Sequence, residues 1–300
     1  MSSKAIREEK LRVAILGSGL IGTDLLVKVK RSELLECTSF IGRNLQSPGM
    51  AKAVNMGVRI SDQSIDEIQR DPASYDLVFD ASSAQSHKYH ALILERLGIT
   101  AVDLTPSGVG EMCIPAVNLH YCVNYKNVNM VTCGGQSSIP LAHMIGLTHK
   151  NVEYIEVVST IASRSAGPAT RLNLDEYIET TERGIKKFSG CRKTKAILIL
   201  NPAQPCINMQ TTLSAKVTDP DIETLKIKVA EMAGKIHEYV PGYEVVVPPT
   251  LENDRIIMTV RVKGRGDYLP SYAGNLDIIN CAAIAMAEEY ARHKMKHQKK

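Results

Sequence analysis

The chain has 300 residues, 44% of them hydrophobic, and a formal net charge of +4, which indicates one large or two modest folded domains and excludes a disordered or fibrous protein. With no Trp and only three Phe, it lacks the stacking side chains typical of single-strand nucleic-acid binding, and its basic end RHKMKHQKK fits a solvated terminus. The seven cysteines include no Cys-x-x-Cys pair, so free thiols are expected rather than a disulfide framework or a zinc site.

The chain opens with the polar stretch MSSKAIREEK, which lacks the apolar core of a secretory signal. No apolar run reaches the roughly 18 to 20 residues that a membrane span requires. We therefore expect a cytoplasmic protein with no membrane partner.

The first half of the chain alternates strands with helices. An apolar strand at Leu11–Leu16, a glycine turn and a helix with an apolar stripe predict the start of a βαβ unit. Further strands are predicted at 39–42, 76–82, 100–105 and 127–133. This order predicts an α/β fold with a Rossmann-like, doubly wound parallel sheet covered on both faces.

The second half is rich in β-strand patterns and predicts an α+β domain with a mixed sheet. Two helices accompany these strands, at about 174–188 and 221–239. A last helix, at about 275–293, carries one apolar stripe and is expected to return to the first domain. The predicted first domain is therefore 1–132 together with 271–300, and the second is 133–270.

The turn GSGLIG predicts a dinucleotide site. Gly17, Gly19 and Gly22 have the spacing that allows a tight turn, close approach to a pyrophosphate and packing of helix on strand. A turn that serves packing alone is the alternative. The next strand ends in FIGRN without an acidic residue for the ribose, and Arg43 stands there instead. An arginine suits the 2′-phosphate of NADP or stacking on the adenine of NAD, and both remain open.

The stretch VTCGGQSSIP contains the candidate nucleophile, Cys133. We expect it at the C-terminal end of a strand, ahead of a helix whose first turn contains Pro140. The helix dipole and the amides of Gly134 and Gly135 are expected to lower the thiol pKa and to stabilise an oxyanion. A buried core thiol is the alternative.

A nicotinamide site beside an activated thiol suggests one reaction type. The thiolate adds to an aldehyde, the thiohemiacetal loses hydride to the cofactor, and the acyl-thioester passes to an acceptor. These residues alone do not name the acceptor.

Several blocks of the sequence resemble one family in order over nearly the whole chain. They are VAILGSGLIGTDLLVKV, FDASSAQSH, DLTPSGVG, NVNMVTCGGQSSIP, SRSAGPATRLNLDEYIETT, NPAQP, YVPGY and YLPSYAGNLDI. Together they resemble the acylating acetaldehyde dehydrogenases, which convert acetaldehyde, NAD and coenzyme A to acetyl-CoA. The resemblance implies a Rossmann domain followed by a substrate and dimerisation domain, a homodimer, and a role in the catabolism of aromatic compounds.

The resemblance also implies roles for particular residues. Cys133 matches the nucleophile that carries the acyl-thioester. Contacts to NAD are implied for Ser18, Gly19, Leu20, Ile21, Ser165, Ala166, Gly167, Pro168, Ala169, Thr170, Arg171, Leu172, Asn173 and Asn275. Coenzyme A is the implied co-substrate, and a 4-hydroxy-2-oxovalerate aldolase is an implied partner that delivers acetaldehyde.

For three of these residues, a purely structural role is the alternative to a contact with the cofactor. Asn173 with Glu176 resembles a capping box, and Asn275 stands where an N-cap would begin the last helix. Arg171 suits either a phosphate ligand or a surface salt bridge.

The chain departs from the family at Thr211, where members commonly carry an Asp after the NPAEPP motif. A threonine cannot act as a carboxylate base. The segment between YVPGY and YLPSYAGN is also shorter than in the family.

Two other functions remain open on the sequence. A phosphorylating semialdehyde dehydrogenase shares the fold but needs a histidine base, and between His149 and His293 the chain offers only His237, late in a helical pattern. A non-catalytic nucleotide-binding subunit of an aldolase is favoured by Thr211. Dependence of turnover on coenzyme A or on phosphate separates these alternatives.

Overall fold

The computed structural model describes residues 10–298. Residues 1–9 and 299–300, which belong to the predicted first domain, lie outside the described residues, as do the side chains of Ala169 and Gln298.

The first part of the chain folds around a seven-stranded parallel sheet with strand order β3-β2-β1-β4-β5-β7-β6. Its strands are β1 (Leu11–Leu16), β2 (Leu35–Ile41), β3 (Arg59–Ser61), β4 (Leu77–Asp80), β5 (Thr100–Asp103), β6 (Glu111–Met112) and β7 (Asn127–Asn129). The helices between them are α1 (Leu20–Arg31), α2 (Pro48–Asn55), α3 (Ile65–Arg70), α4 (Ala84–Arg96) and α5 (Pro115–Cys122). Strands β4 and β5 are buried along their whole length, as a sheet covered on both faces requires. The predicted Rossmann-like sheet is confirmed.

The second part contains a five-stranded mixed sheet with order β11-β12-β10-β8-β9. Its strands are β8 (Val152–Ala162), β9 (Lys193–Asn201), β10 (Met209–Val217), β11 (Tyr243–Glu252) and β12 (Arg255–Val262). Its helices are α6 (Cys133–Thr148), α7 (Pro168–Leu172), α8 (Leu174–Ser189) and α9 (Ile222–Tyr239). Neighbouring strands are antiparallel except β8 and β9. Along β10 the buried residues alternate, so one face of the sheet packs against α6.

The last helix, α10 (Gly274–Gln298), packs against α1, so the chain returns to the first sheet as expected. Apolar residues of its inner stripe, such as Ala283 and Met286, are fully buried in the core of that sheet. The buried ammonium of Lys28 on α1 pairs with Asp24 at 2.6 Å and with Asp277 on α10 at 2.7 Å. The predicted domain bounds at 132/133 and 270/271 stay a prediction.

The structure corrects the prediction around the candidate nucleophile. The strand predicted at 127–133 ends at Asn129, because Val131 has a φ of +62°, which is incompatible with a strand. Thr132 is the N-cap of α6, and Cys133 is the first residue of that helix. Pro140 therefore lies inside α6 and not in its first turn.

None of the helices within residues 10–298 combines the length and the apolar character needed to cross a lipid bilayer.

Candidate active site

The glycine turn joins β1 to α1 and lies against the turn that follows β4. Gly17 has a φ of +123°, and a Cβ there would meet the carbonyl carbon of Ala81 at 2.7 Å. A Cβ at Gly22 would collide with the carbonyl oxygen of Gly17. Gly19 is the N-cap of α1, and apart from its own chain neighbours no heavy atom lies within 4 Å of the position of a Cβ there. The turn is therefore tight on its inner side and open at Gly19.

A groove of about 650 Å³ begins at this turn. The groove collects most of the residues for which the resemblance implies cofactor contacts. Those lining it are Ser18, Gly19, Leu20, Ile21, Ser165, Gly167, Pro168, Thr170, Leu172 and Asn173. Arg43 lines the same groove, just beyond the end of β2. The structure thus brings two segments together that are more than a hundred residues apart in the sequence.

Other residues of the segment 165–173 do not line the groove. Ala166 is buried in the hydrophobic core of the second part of the chain. Arg171 donates hydrogen bonds to the carbonyl oxygens of Ala166 and Ser163, both at 3.1 Å, and to the Ser163 hydroxyl at 2.9 Å. Its guanidinium therefore stabilises the loop before α7 through these hydrogen bonds. The side chain of Ala169 lies outside the described part of the structure.

The capping alternatives for the two asparagines are wrong. Asn173 occupies the N-cap position of α8, but its side chain makes no capping hydrogen bond and lines the groove. Asn275 is the second residue of α10 because the helix already begins at Gly274. It is 1% exposed, and its Oδ1 has no hydrogen-bond partner among the described residues.

A smaller cavity continues from the groove toward Cys133. Ile21, Ser82 and Asn173 line both spaces, and Asn275 and Tyr177 line the cavity beside the thiol. Its surroundings are mostly apolar, and none of the described lining residues is an Asp, Glu, His, Lys or Arg. Cys133 and Asn275, whose Oδ1 has no described partner, therefore line one small cavity.

Cys133 is partly exposed and lies at the N-terminus of α6. Burial of the thiol raises its pKa to about 11, although the Tyr177 hydroxyl and the amides of Gly134 and Cys133 favour the thiolate and lower that pKa. The Sγ atom lies 3.8 Å from Tyr177 Oη. Against the expectation of a lowered thiol pKa, the loss of water around the sulfur outweighs these hydrogen bonds.

The two glycines after Cys133 have different roles. The N–H of Gly135 donates to Thr132 Oγ1 at 2.8 Å, so this amide serves the helix cap and is not available to an oxyanion. A Cβ at Gly134 would collide with Tyr177 Oη and would lie 2.9 Å from Ser159 Oγ. A glycine is therefore needed at 134 for these two hydroxyls to approach α6.

Thr211 lies behind Cys133 and not on the cavity surface. It is 1% exposed, and its Oγ1 is 2.9 Å from Ser137 Oγ and 3.1 Å from Ser159 Oγ. The place that the resemblance assigns to a carboxylate thus holds one member of a buried group of hydroxyls.

Sequence reasoning missed Tyr177, although a signal was present. Buried residues on α8 recur as Tyr177, Thr180, Thr181, Gly184 and Ile185, which is the spacing of one helix face. That stripe places the phenol on the inner face of α8, toward α6.

A buried polar cluster below the groove was also missed. His87 Nδ1 is 2.9 Å from Asp80 Oδ2, and His87 Nε2 is 3.5 Å from Asp103 Oδ2. His90 Nδ1 is 2.8 Å from the same Asp80 oxygen. Burial alone would lower the pKa of His87, but the two carboxylates outweigh it and raise that pKa. The signal was a pair of Asp residues ending neighbouring apolar strands, with two histidines three residues apart on the next helix.

The histidine required by the phosphorylating alternative is not at the thiol. His237 is exposed in the last turn of α9, and no histidine is among the described residues that line the cavity.

Comparison with known proteins gives closely related sequences. The dimerisation domain of prokaryotic acetaldehyde dehydrogenases matches residues 133–270. The acetaldehyde dehydrogenase of Spirochaeta aurantia is 60% identical over 282 residues, which cover 94% of this chain and 95% of that protein. The enzyme of the same name from Pectobacterium atrosepticum is 58% identical, with 93% and 95% covered. That from Geobacillus stearothermophilus is 46% identical, with 96% and 99% covered.

Solved structures with the same fold are much more distant in sequence. Aspartate semialdehyde dehydrogenase II from Vibrio cholerae, complexed with ASA, superposes with a TM-score of 0.64 at 14% identity, covering 95% of this chain and 99% of that one. The aspartate semialdehyde dehydrogenase of Candida albicans with NADP gives a TM-score of 0.62 at 11% identity, with 93% and 100% covered. At these identities the likeness concerns the fold alone.

Proposed function

The chain belongs to the acetaldehyde dehydrogenase family, and from this premise we propose that it oxidises acetaldehyde or a similar short aldehyde with NAD and transfers the acyl group to coenzyme A. The observation that carries the proposal is the cavity lined by both Cys133 and Asn275, whose Oδ1 has no described partner, at the end of the glycine-turn groove.

The residues present fit a nicotinamide dinucleotide. The open side of the turn at Gly19 suits close approach of a pyrophosphate to the N-terminus of α1, and Ser18 to Ile21 line the groove there. The buried Oδ1 of Asn275 needs a donor, and the amide of a nicotinamide supplies one. When bound, the cofactor supplies the hydride acceptor. Because Arg43 lines the groove and suits a 2′-phosphate, NADP is the alternative cofactor in this proposal.

Cys133 performs the covalent chemistry in this proposal. Its sulfur adds to the aldehyde carbonyl carbon, the thiol proton ends on the carbonyl oxygen, and a thiohemiacetal forms. The N–H groups at the start of α6 stabilise charge on that oxygen, with Gly134 as the nearest donor after Cys133 itself. Oxidation removes a hydride from the carbon and releases the hydroxyl proton to water, after which Cys133 carries the acyl group as a thioester. The thiol of coenzyme A then bonds to the acyl carbon, and the sulfur of Cys133 leaves and regains its proton.

The deciding experiment is reduction of NAD and NADP by the purified protein with acetaldehyde or propanal. Each aldehyde is supplied with coenzyme A, with phosphate, and with neither. We expect turnover that depends on coenzyme A. Cys133→Ala is expected to abolish acyl transfer while cofactor binding is retained. Turnover with phosphate instead, or full turnover in Cys133→Ala, would refute the proposal.

We also propose that the chain forms a homodimer through residues 133–270, the part that matches a dimerisation domain. Large apolar side chains remain exposed on its sheet, among them Ile199 on β9 and Val247 and Leu251 on β11. Light scattering during size-exclusion chromatography should give twice the mass of one chain. The aldolase partner and the place in aromatic catabolism stay predictions, tested by co-elution with a 4-hydroxy-2-oxovalerate aldolase.

A further inference from the structure

A row of buried hydroxyl groups extends from the Cys133 thiol into the interior of the second part of the chain. Tyr177 Oη lies 3.8 Å from Cys133 Sγ. Ser159 Oγ lies on the same side of α6 as that phenol, because a Cβ at Gly134 would be 2.9 Å from Ser159 Oγ and would collide with Tyr177 Oη. Ser159 Oγ is 3.1 Å from Thr211 Oγ1, which is 2.9 Å from Ser137 Oγ. We refer to Tyr177, Ser159, Thr211 and Ser137 as the hydroxyl chain.

The hydroxyl chain is buried and assembled from four elements. Tyr177 is 6% exposed, Ser159 and Thr211 are 1% exposed, and Ser137 is fully buried. The four side chains come from α8, β8, β10 and α6 respectively. Buried hydroxyls in contact polarise one another, so the group acts as a unit.

The hydroxyl chain ends at Ser137, and the hydrogen-bond partner of Ser137 determines whether the chain can carry a proton. Ser137 Oγ donates to the carbonyl oxygen of Gly134 at 3.0 Å. A backbone carbonyl cannot take up a proton, so the chain does not conduct the thiol proton away. With Ser137 donating in this direction, each hydroxyl donates to the next one along, and Tyr177 is free to accept from the thiol.

A second serine allows the direction of these hydrogen bonds to reverse. Ser138 Oγ donates to the same carbonyl oxygen of Gly134 at 2.7 Å. When Ser137 turns to donate to Thr211, the Gly134 carbonyl therefore keeps a partner. Thr211 then donates to Ser159, Ser159 to Tyr177, and Tyr177 to the sulfur. Both directions leave no buried hydroxyl without a bond.

We propose that the hydroxyl chain stabilises the thiolate of Cys133 by reversing its hydrogen bonds, so that Tyr177 donates directly to the sulfur. This inference rests on the proposed function, in which Cys133 is the nucleophile. Tyr177 is then a catalytic residue because it touches the reacting atom. Ser159, Thr211 and Ser137 are positioning residues, and Thr211 transmits a hydrogen bond where a carboxylate is expected from the resemblance.

The described side chains around the sulfur are uncharged, so neutral groups must stabilise the thiolate. From α8 the sulfur faces Tyr177, and α10 contributes Asn275 to the cavity. Thr105 lines the cavity from the loop after β5. No carboxylate, imidazole, ammonium or guanidinium group is among the cavity-lining residues that the structure describes. Tyr177 is therefore the titratable side chain that faces Cys133.

The test is alkylation of the full-length protein by iodoacetamide at pH values from 7 to 10, followed at the Cys133 peptide by mass spectrometry. The sulfur bonds to the methylene carbon, iodide leaves, and the thiol proton passes to the buffer. Cys206 is also partly exposed and lies outside the hydroxyl chain, so its peptide is an internal reference. We expect Tyr177→Phe to slow alkylation of Cys133 about tenfold across this pH range, the effect of losing one hydrogen bond to a charged group.

Thr211 provides an independent test within the chain. Thr211→Val should slow alkylation in the same direction, because the link between Ser137 and Ser159 is broken, and Thr211→Ser should restore the parent rate. A merely structural role of Thr211 would not give this rescue. If Tyr177→Phe does not fold, the pair of Thr211 variants decides the question.

Two matched controls remove hydroxyls elsewhere. Tyr75→Phe removes a buried phenol that bonds Ser39 Oγ at 3.0 Å in the first part of the chain. Thr212→Val removes the neighbouring hydroxyl on β10, which bonds Thr259 at 3.0 Å on the other face of the sheet. Both should leave alkylation of Cys133 unchanged. Equal rates for Tyr177→Phe and the parent, or equally slow rates for the two Thr211 variants, would overturn the proposal.

Failure of this inference is distinguishable from failure of the proposed function. Alkylation requires no aldehyde, cofactor or coenzyme A. Slowed alkylation in Tyr177→Phe with no coenzyme-A-dependent turnover in the parent refutes the proposed function and keeps the hydroxyl chain. Turnover in the parent with unchanged alkylation in the variants refutes the hydroxyl chain alone.

Discussion

The two glycines at the start of the turn should separate folding from cofactor binding. Gly19→Ala is expected to leave the free energy of unfolding almost unchanged and to weaken NADH binding. Gly17→Ala is expected to lower both stability and binding. The difference follows from what a methyl group would meet at each position.

At Gly19 the effects on stability oppose each other. The backbone has a φ of −79°, which alanine adopts without strain, and no heavy atom lies within 4 Å of the added Cβ. Alanine at such a site stabilises by about 0.4 to 1 kcal/mol through the unfolded chain. It is a poorer N-cap than glycine, which costs a similar amount, about 0.5 to 1 kcal/mol. The net change in folding should stay within about 1 kcal/mol, whereas the methyl occupies the space that a pyrophosphate approaches.

At Gly17 the effects on stability add. A φ of +123° costs a non-glycine residue about 1 to 3 kcal/mol. The Cβ would also press on the backbone of Ala81, and forcing extra volume into a packed site costs about 1 to 3 kcal/mol more. The expected loss is therefore about 2 to 6 kcal/mol in the free energy of unfolding.

Urea unfolding and a fluorescence titration with NADH measure the two quantities. The chain contains no Trp, so NADH fluorescence is read without tryptophan emission. We expect Gly19→Ala to bind NADH at least tenfold more weakly, because about 1.4 kcal/mol of lost contact corresponds to that factor. Parent-like NADH affinity in Gly19→Ala would refute the placement of the pyrophosphate at this turn. Parent-like stability in Gly17→Ala would refute the steric argument.

Three further outcomes are expected. Asn275→Leu should weaken NADH binding about tenfold by calorimetry without loss of stability, because it removes a buried acceptor that has no described partner. Arg43→Ala should weaken NADP binding about tenfold or more and NAD binding less, and equal affinities in variant and parent would show that Arg43 contacts neither. His87→Gln should lower the free energy of unfolding by about 1.5 to 3 kcal/mol at pH 6, since Asp80 loses one charged partner and keeps His90. Because the pKa of His87 is raised on folding, its contribution is present below about pH 6.5 and is lost as pH rises through the folded pKa. Urea unfolding from pH 6 to pH 9 should therefore show a decline in the parent that is shallower in the variant.

The fold was predictable where burial and backbone conformation agree. The run Leu11–Leu16 is apolar and extended, and β1 has these bounds. The prediction failed at 127–133, where Met130 and Val131 are fully buried but do not continue the strand. Hydropathy reports that a residue is buried, whereas the φ of +62° at Val131 is a property of the local turn that hydropathy does not carry.

The candidate site was predictable where its residues are adjacent in the sequence. Gly17, Gly19 and Gly22 act within one turn, so their spacing alone indicates the groove. Tyr177 and Thr211 are brought to Cys133 by separate elements of the second part of the chain. Their roles depend on the pairing of β8 with β10 and on the packing of α8 against α6. The stripe on α8 indicates which face of that helix is buried, but no local pattern indicates which elements that face meets.

The reactivity of Cys133 likewise depends on a local feature that the sequence indicates and on a burial that it does not. The sequence places the thiol at a helix N-terminus, and a helix dipole does favour its thiolate. Burial acts in the opposite direction and prevails, raising the pKa of the thiol to about 11, so the protonated thiol predominates at pH 7. Every described side chain that lines the cavity is neutral at that pH. Stabilisation of the thiolate therefore comes from dipoles, whose effect falls off with distance faster than that of charges. The groups that determine thiol reactivity in this chain must consequently touch the sulfur or be linked to it through the hydroxyl chain.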